Sequence, residues 1–241
     1  IILISLLFIL IEILVFLSGE RSAFFLNSLA AFFVILMIKE FKLIRFISFI
    51  LSIMLIGLIT IYDDSAKKRI WDSTIDQIGI NSEKIHLFSE VHESHYRSAY
   101  KMFLDNKFLG IGLRNFRNYC SNTKYYGGHE RACSTHPHST YIQILAETGL
   151  IGFTFIILIF FYFIFKCVVH LKGALFQKKY YFNDLEVCLL AAILITIWPF
   201  IPSGNFFNNW ISIVYYFPVG FLLWSLKKSE QNRKNLSLTS K

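Results

Sequence analysis

Long runs of apolar residues are the feature that most constrains this chain. Ile2 to Leu17 and Leu43 to Ile61, for example, contain one charged side chain each. A helix of roughly 20 mostly apolar residues crosses a hydrocarbon core about 30 Å thick. The chain is 55% hydrophobic and 17% charged, and its apolar residues are grouped instead of alternating with polar ones. The sequence therefore predicts an all-α polytopic membrane protein.

The runs predict about six transmembrane helices. They are Ile2 to Leu17, Ala23 to Ile38, Leu43 to Ile61, Tyr141 to Phe165, Leu185 to Ile201 and Trp210 to Leu226. We accordingly divide the chain into three transmembrane helices over 1–61, a large loop over 62–139, three more transmembrane helices over 140–226, and a tail over 227–241.

Three basic segments predict the orientation. They lie at residues 39–45, at residues 166–179 and in the tail. If six spans alternate, all three fall on one side, which the positive-inside rule makes cytoplasmic. The large loop then faces outward and the C-terminus is cytoplasmic. This distribution explains the net charge of +8 without a nucleic-acid partner, since no basic stripe with interleaved aromatic residues occurs.

The first residues predict a piece of a longer protein. The chain begins Ile1-Ile2-Leu3-Ile4, with no methionine and no basic stretch before the apolar run. We interpret it as the C-terminal part of a longer chain; the alternative is a complete small protein with a trimmed start.

The large loop has mixed charge, which is typical of a folded surface. Ser65 to Ser89 predicts an amphipathic helix along the membrane surface, with Ile70, Trp71, Ile75 and Ile78 on its apolar face. A second helix is predicted over Ser94 to Leu104, and Gly110-Ile111-Gly112 predicts a tight bend.

Two of the four cysteines, Cys120 and Cys133, lie in this loop. An oxidising compartment would permit a disulfide between them, although spacing alone does not fix the required geometry.

Histidines are concentrated in the same loop, with His92, His95, His136 and His138 as the candidates for chemistry. Histidine acts as a general base near neutral pH because its ordinary pKa is about 6.5. A metal site is not favoured: the segment His92-Glu-Ser-His95 is one residue shorter than the zinc signature H-E-x-x-H. Structural hydrogen bonding is the simpler interpretation of His92 and His95.

Two arginines on the predicted outer side are candidates for binding an anion. Arg21 lies where the positive-inside rule predicts few cations, and Arg97 lies within the second loop helix. Guanidinium binds phosphate in a bidentate manner and stays charged at any relevant pH. For Arg21, snorkelling or a pair with Glu20 is the alternative.

The predicted spans argue against transport. Glu12 is the acidic residue well inside a span, and Glu147 lies two turns into the fourth. Transporters usually carry more ionisable residues near the midplane, and no inverted repeat is visible. A polysaccharide or lipid transporter is therefore the runner-up, and a non-catalytic membrane sensor a further alternative.

Three stretches together resemble the O-antigen ligase and polymerase family, whose members are bacterial membrane glycosyltransferases. The stretches are Ser18 to Ser22, Arg97 to Phe116 and His136 to Gly152, in the family's order, and the last is the most specific. The resemblance implies an inner-membrane protein with more spans than these six and with its active site at the periplasmic face.

The resemblance also implies roles for individual residues. Arg21 and Arg97 would bind the pyrophosphate of the donor and stabilise the charge that develops as it leaves. The implied catalytic residues are Arg97 and His138, and His138 would orient or deprotonate the acceptor. His136 is an additional histidine beside it, assigned to the pyrophosphate site. Ser139 stands where the family usually has asparagine. Glu147 is interpreted as a structural residue near the start of a helix that orients the loop.

The implied donor is a glycan linked to undecaprenyl pyrophosphate. The implied acceptor is lipid A–core for a ligase or another lipid-linked glycan for a polymerase, and a protein-glycosylating relative is a third option. We expect O-antigen ligase, with no cofactor, metal or ATP, because lipid pyrophosphate is itself a good leaving group. Membrane lipids are the other expected partners.

Overall fold

A computed structural model of the chain describes residues 1–78 and 88–239. Within these ranges the regular elements are helices, joined by turns and irregular segments. The α-helices are α1 (Ile2–Leu17), α2 (Arg21–Met37), α3 (Lys42–Tyr62), α4 (Asp64–Lys67), α5 (Ser73–Ile78), α6 (Glu90–Asp105), α7 (Phe116–Tyr119), α8 (Thr140–Lys172), α9 (Asp184–Thr196) and α10 (Asn209–Thr239).

Three helices in the described part are long and apolar enough to cross a membrane, which identifies a helical membrane protein. They are α3, the stretch Thr140–Gln177 that contains α8, and Asn209–Asn232 within α10. The other predicted spans correspond to shorter helices: α1 has 16 residues, α2 has 17 and α9 has 13. At about 1.5 Å per residue, α9 is shorter than a hydrocarbon core. Six spans therefore remain a prediction.

The fifth predicted span differs most from the structure. It was expected to continue to Ile201, but α9 ends at Thr196. Residues 197–208 form an irregular segment that contains Pro199 and Pro202. Proline has no N–H to donate and disfavours helical conformation in the residue before it. This segment leads back to the N-terminal end of α8 and contributes to the candidate site.

The helices form one connected set of contacts, in which α2 packs against α1, α3 and α9. α1 packs against α3, while α9 packs against both α2 and α10. The largest apolar core joins α8, α9 and α10 through Tyr141, Ile144, Leu190, Ile193 and Leu222.

The first half of the loop is helical, as predicted, over its described part. α4, a π-helical turn (Lys68–Asp72) and α5 follow one another directly. Ile70 is buried against Phe16 and Ile56, whereas Trp71 is exposed, so the two residues do not share one face. The predicted helix over Ser65 to Ser89 partly falls on residues 79–87, which lie outside the described residues.

The second predicted loop helix is confirmed as α6, but it begins four residues before the predicted Ser94. It begins at Glu90 because the side chain of Ser89 accepts the N–H of His92. Its buried face, Ala99 and Met102, packs on Phe116 and Ala146. Cys120 and Cys133 form the disulfide that the sequence left open. The disulfide closes a loop with a sequence separation of 13 residues against this face.

A break interrupts α8, which was predicted as one continuous span. Gly149 has φ 65° and ψ −162°, a conformation that glycine adopts without the steric cost of a side chain. The bend predicted at Gly110 and Gly112 packs into this break. The N–H groups of Ile111 and Gly112 donate to the carbonyls of Ala146 and Glu147, each at 3.0 Å. The bend therefore supplies hydrogen bonds that the helix gives up.

Candidate functional site

Four histidines form one cluster at the N-terminal end of α8. The ring of His138 lies 4.1 Å from that of His136, 5.2 Å from that of His95 and 5.4 Å from that of His92, measured between centroids. His92 and His95 are one turn apart on α6, and the other two precede α8. Packing of α6 on α8 brings the pairs together.

The three histidines that surround His138 are held by hydrogen bonds. His95 Nε2 lies 2.7 Å from the carbonyl oxygen of Arg131, and His92 Nδ1 lies 2.9 Å from the hydroxyl of Ser89. His136 has a partner on each nitrogen: Thr135 Oγ1 at 2.9 Å and the carbonyl of Ser203 at 3.3 Å. These bonds fix the rings around the central one.

His138 is held by its backbone instead. Its φ of 54° lies in the left-handed region, which is uncommon for a residue with a side chain. Its carbonyl accepts the N–H of Ser203 at 3.0 Å and the hydroxyl of Tyr96 at 3.5 Å. In the described ranges, no hydrogen bond to either ring nitrogen of His138 is formed. The imidazole is thus positioned while its nitrogens stay open to a ligand.

Burial lowers the pKa of all four histidines in the cluster. For His138, desolvation acts together with His136, His95 and His92 to lower the pKa to about 4. The four imidazoles are therefore neutral at neutral pH, and the central one can accept a proton.

The cluster is not arranged around a metal. Across residues 1–78 and 88–239, no three His, Cys, Asp or Glu side chains are positioned to hold a metal ion together. His92 and His95 contact each other and His138 through their rings, at centroid distances from 5.2 to 6.1 Å. The structural interpretation of His92 and His95 therefore fits their positions, and they also form part of the wall around His138.

Arg21 lies near His92. Its positive charge contributes to the lowered pKa of His92, after burial and His95. Arg21 is the first residue of α2, and its Nη1 donates to the hydroxyl of Thr74 in α5 at 2.9 Å. It therefore connects the start of α2 to the first half of the loop.

Arg97 lies on a different face of α6 from His92 and His95. Its side chain is 56% exposed and pairs with Glu93 at 3.2 Å. It also lies beside Gly128, where an added Cβ would be 3.5 Å from Nη1. The described contacts of Arg97 thus run to Glu93 and Gly128, and not to the histidine cluster.

A second polar group, centred on Glu147, lies deeper in α8. The carboxylate accepts the N–H of Arg114 at 3.0 Å, the N–H of Phe116 at 2.9 Å and the amide of Gln143 at 3.1 Å. The Gln143 amide also donates to Asn205 at 2.7 Å. Glu147 is 1% exposed and lies just before the helix break, not near the start of α8. Its predicted role in orienting the loop agrees with these contacts.

The segment between α9 and α10 holds residues that sequence reasoning missed. Ser203 bonds both His136 and His138, and its hydroxyl lies 2.9 Å from that of Thr140. Asn205 is buried and bonds Gln143. Ser203-Gly-Asn205 is a short polar stretch between apolar residues, and this was the one clue in the sequence. No spacing linked it to the histidines.

One of three comparisons with known proteins found a match. A family model described as O-antigen ligase matches residues 5–157, well over half of the chain, and this range includes Arg21, Arg97, the histidine cluster and Glu147. No curated protein and no solved structure matches the chain.

Proposed function

The chain belongs to the O-antigen ligase family, and from this premise we propose that it transfers a glycan from undecaprenyl pyrophosphate to an acceptor hydroxyl at the periplasmic face of the inner membrane. Lipid A–core is the acceptor we favour, which makes the protein an O-antigen ligase. The observation that carries the proposal is the central imidazole of His138, held by its backbone, with open ring nitrogens and a pKa near 4.

His138 is the proposed general base. Its neutral imidazole takes the proton of the acceptor hydroxyl as the oxygen attacks the anomeric carbon. The bond from that carbon to the pyrophosphate oxygen breaks, and undecaprenyl pyrophosphate leaves with the electron pair. The low pKa belongs to the empty site. Because a bound anion favours the charged form of a neighbouring group, the donor would raise the pKa of His138 and make it a stronger base.

The arginines are proposed to bind the donor. Arg21 lies near enough for its charge to affect His92, so a pyrophosphate beside it would also lie beside the cluster. Arg97 would have to exchange its pair with Glu93 for the pyrophosphate, which its exposure permits. The N-terminus of α8, immediately after His138, adds a favourable potential for an anion. With this charge stabilisation the reaction needs neither ATP nor a metal.

Single substitutions test the mechanism. His138→Ala, Arg97→Ala and Arg21→Ala should each lower transfer of glycan from undecaprenyl pyrophosphate, and loss of a general base typically costs about 100- to 10,000-fold. The matched control is Arg131→Ala, which removes an exposed arginine of the same loop but keeps the carbonyl that bonds His95. Wild-type transfer by His138→Ala at normal protein level would remove that residue from the mechanism.

The acceptor distinguishes ligase from polymerase, the alternative within the family. In a deletion strain, free lipid A–core with accumulated polymeric lipid-linked glycan would identify a ligase. Core that carries a single repeat unit would identify a polymerase.

A further inference from the structure

An exposed apolar surface lies beside the break in α8, away from the histidine cluster. It consists of Phe108, Leu109 and Leu113 from the loop and Leu150 and Ile151 from the helix, and we call it the apolar edge. Phe108, Leu109 and Leu113 are 70, 74 and 58% exposed. Three large apolar side chains this exposed in one six-residue stretch are unusual for a loop that faces only water, and they indicate an interaction surface.

Backbone hydrogen bonds hold the two halves of the apolar edge together. Leu150 N–H donates to the carbonyl of Lys107 at 2.8 Å, and Ile151 N–H donates to that of Phe108 at 3.4 Å. The chains approach so closely at Gly149 that an added Cβ would lie 2.4 Å from the Phe108 carbonyl. The exposure of the loop residues is therefore fixed by the fold.

The apolar edge continues the exposed face of a candidate membrane span. Ile151, Phe155 and Leu158 follow at spacings of four and three residues, which place them on one side of α8, and all three are exposed. Since the stretch Thr140–Gln177 is long and apolar enough to cross a membrane, this exposed face is the one that lipid would cover. Phe108 and Leu109 therefore lie directly against the upper end of a lipid-facing surface.

Cations flank the loop part of this surface. Lys107 precedes Phe108, Arg114 follows Leu113, and both are exposed. An amphipathic segment with apolar side chains between basic ones is typical of a membrane interface, where the cations meet lipid phosphates.

We propose that the apolar edge is a membrane-interface anchor, in which Phe108, Leu109 and Leu113 insert into the leaflet that the outer end of α8 enters. The partner is the lipid surface itself, with phospholipid chains around the apolar side chains. Continuity with the lipid-facing side of α8 favours lipid over a protein partner. The proposal does not depend on glycan transfer, since it concerns the position of the loop relative to the bilayer.

Photocrosslinking tests the anchor on the full chain. The photoreactive residue benzoylphenylalanine replaces Leu109, and the protein is placed in nanodiscs of phosphatidylethanolamine and phosphatidylglycerol. Ile151 is the positive control on the span, and Ser121, an exposed loop residue, is the negative control. After irradiation, mass spectrometry should find lipid adducts at positions 109 and 151 at least tenfold above those at position 121.

Two results would overturn the proposal: adducts at position 109 that match those at position 121, or adducts at position 109 to polypeptide instead of lipid. Because Leu109 is largely exposed, its replacement should not disturb the fold, and the native chain offers a second measurement. Hydroxyl-radical labelling of Phe108 and Tyr126 is measured in nanodiscs and in detergent. The ratio of labelling in nanodiscs to labelling in detergent should be at least threefold lower for Phe108 than for Tyr126. Equal labelling of the two in both media would contradict insertion.

Discussion

Replacing Glu147 by alanine would leave two backbone donors of the loop without their acceptor. Phe116 is completely buried, so its N–H would lose a bond that water cannot replace, at a cost of about 1–3 kcal/mol. Arg114 is exposed, and its N–H would lose about 0.5–1.5 kcal/mol. The Gln143 amide keeps its bond to Asn205. The sum is about 1.5–4.5 kcal/mol of unfolding free energy.

Thermal unfolding of the purified protein in detergent, followed by intrinsic fluorescence, measures this loss. At about 2–4 °C per kcal/mol for a chain of this size, Glu147→Ala should lower Tm by roughly 3 to 18 °C. Glu147→Gln keeps one carbonyl oxygen in place and should lose about half as much. The matched control is Glu130→Ala, which removes an exposed carboxylate of the same loop and should leave Tm unchanged. A Tm for Glu147→Ala equal to that of the control would refute the anchoring role.

Three further predictions concern the break, the disulfide and the base. Gly149→Ala should destabilise the protein by more than about 1 kcal/mol because of its positive φ and the nearby Phe108 backbone. Gly57→Ala, with open space around the new Cβ, should be neutral or stabilising by up to about 1 kcal/mol; equal Tm values for the two variants would contradict this. Removing the disulfide by Cys120→Ser with Cys133→Ser should cost about 3 kcal/mol for a loop of this length, and an unchanged Tm would argue against it. Protonated His138 cannot accept a proton, so kcat/KM should fall as pH drops through about 4; an acid limb at the ordinary histidine value would show that the pKa is not lowered.

Local patterns explain what could be predicted from the sequence. Apolar runs predicted helices at nearly the right places, because a membrane helix satisfies its backbone hydrogen bonds internally. The second loop helix was predicted from its local pattern, although its start at Glu90 lies four residues before the predicted Ser94. His136 and His138 stood out because they directly precede a span.

Contacts between distant segments explain what could not be predicted. Ser203 reaches His138 over 65 residues of sequence, and Asn205 reaches Gln143 over 62. The break at Gly149 was also hidden, because its stability depends on donors from residues 111 and 112 and not on the helix itself. Arg97 illustrates a further limit. The helical pattern predicts the side of α6 on which Arg97 lies, but its ion pair with Glu93 became evident only from the side-chain geometry.

The break in α8, which is bridged by hydrogen bonds to the loop, also determines how this protein can recombine with its relatives. Residues 107–116 and 143–151 share the hydrogen bonds of one joint, although the predicted boundary between loop and membrane region falls between them at residue 139. A chimera with its crossover at that boundary would combine a bend from one parent with a broken helix from another. A crossover after residue 151 would transfer the joint intact, so the loop and the first three turns of α8 are best exchanged as one module.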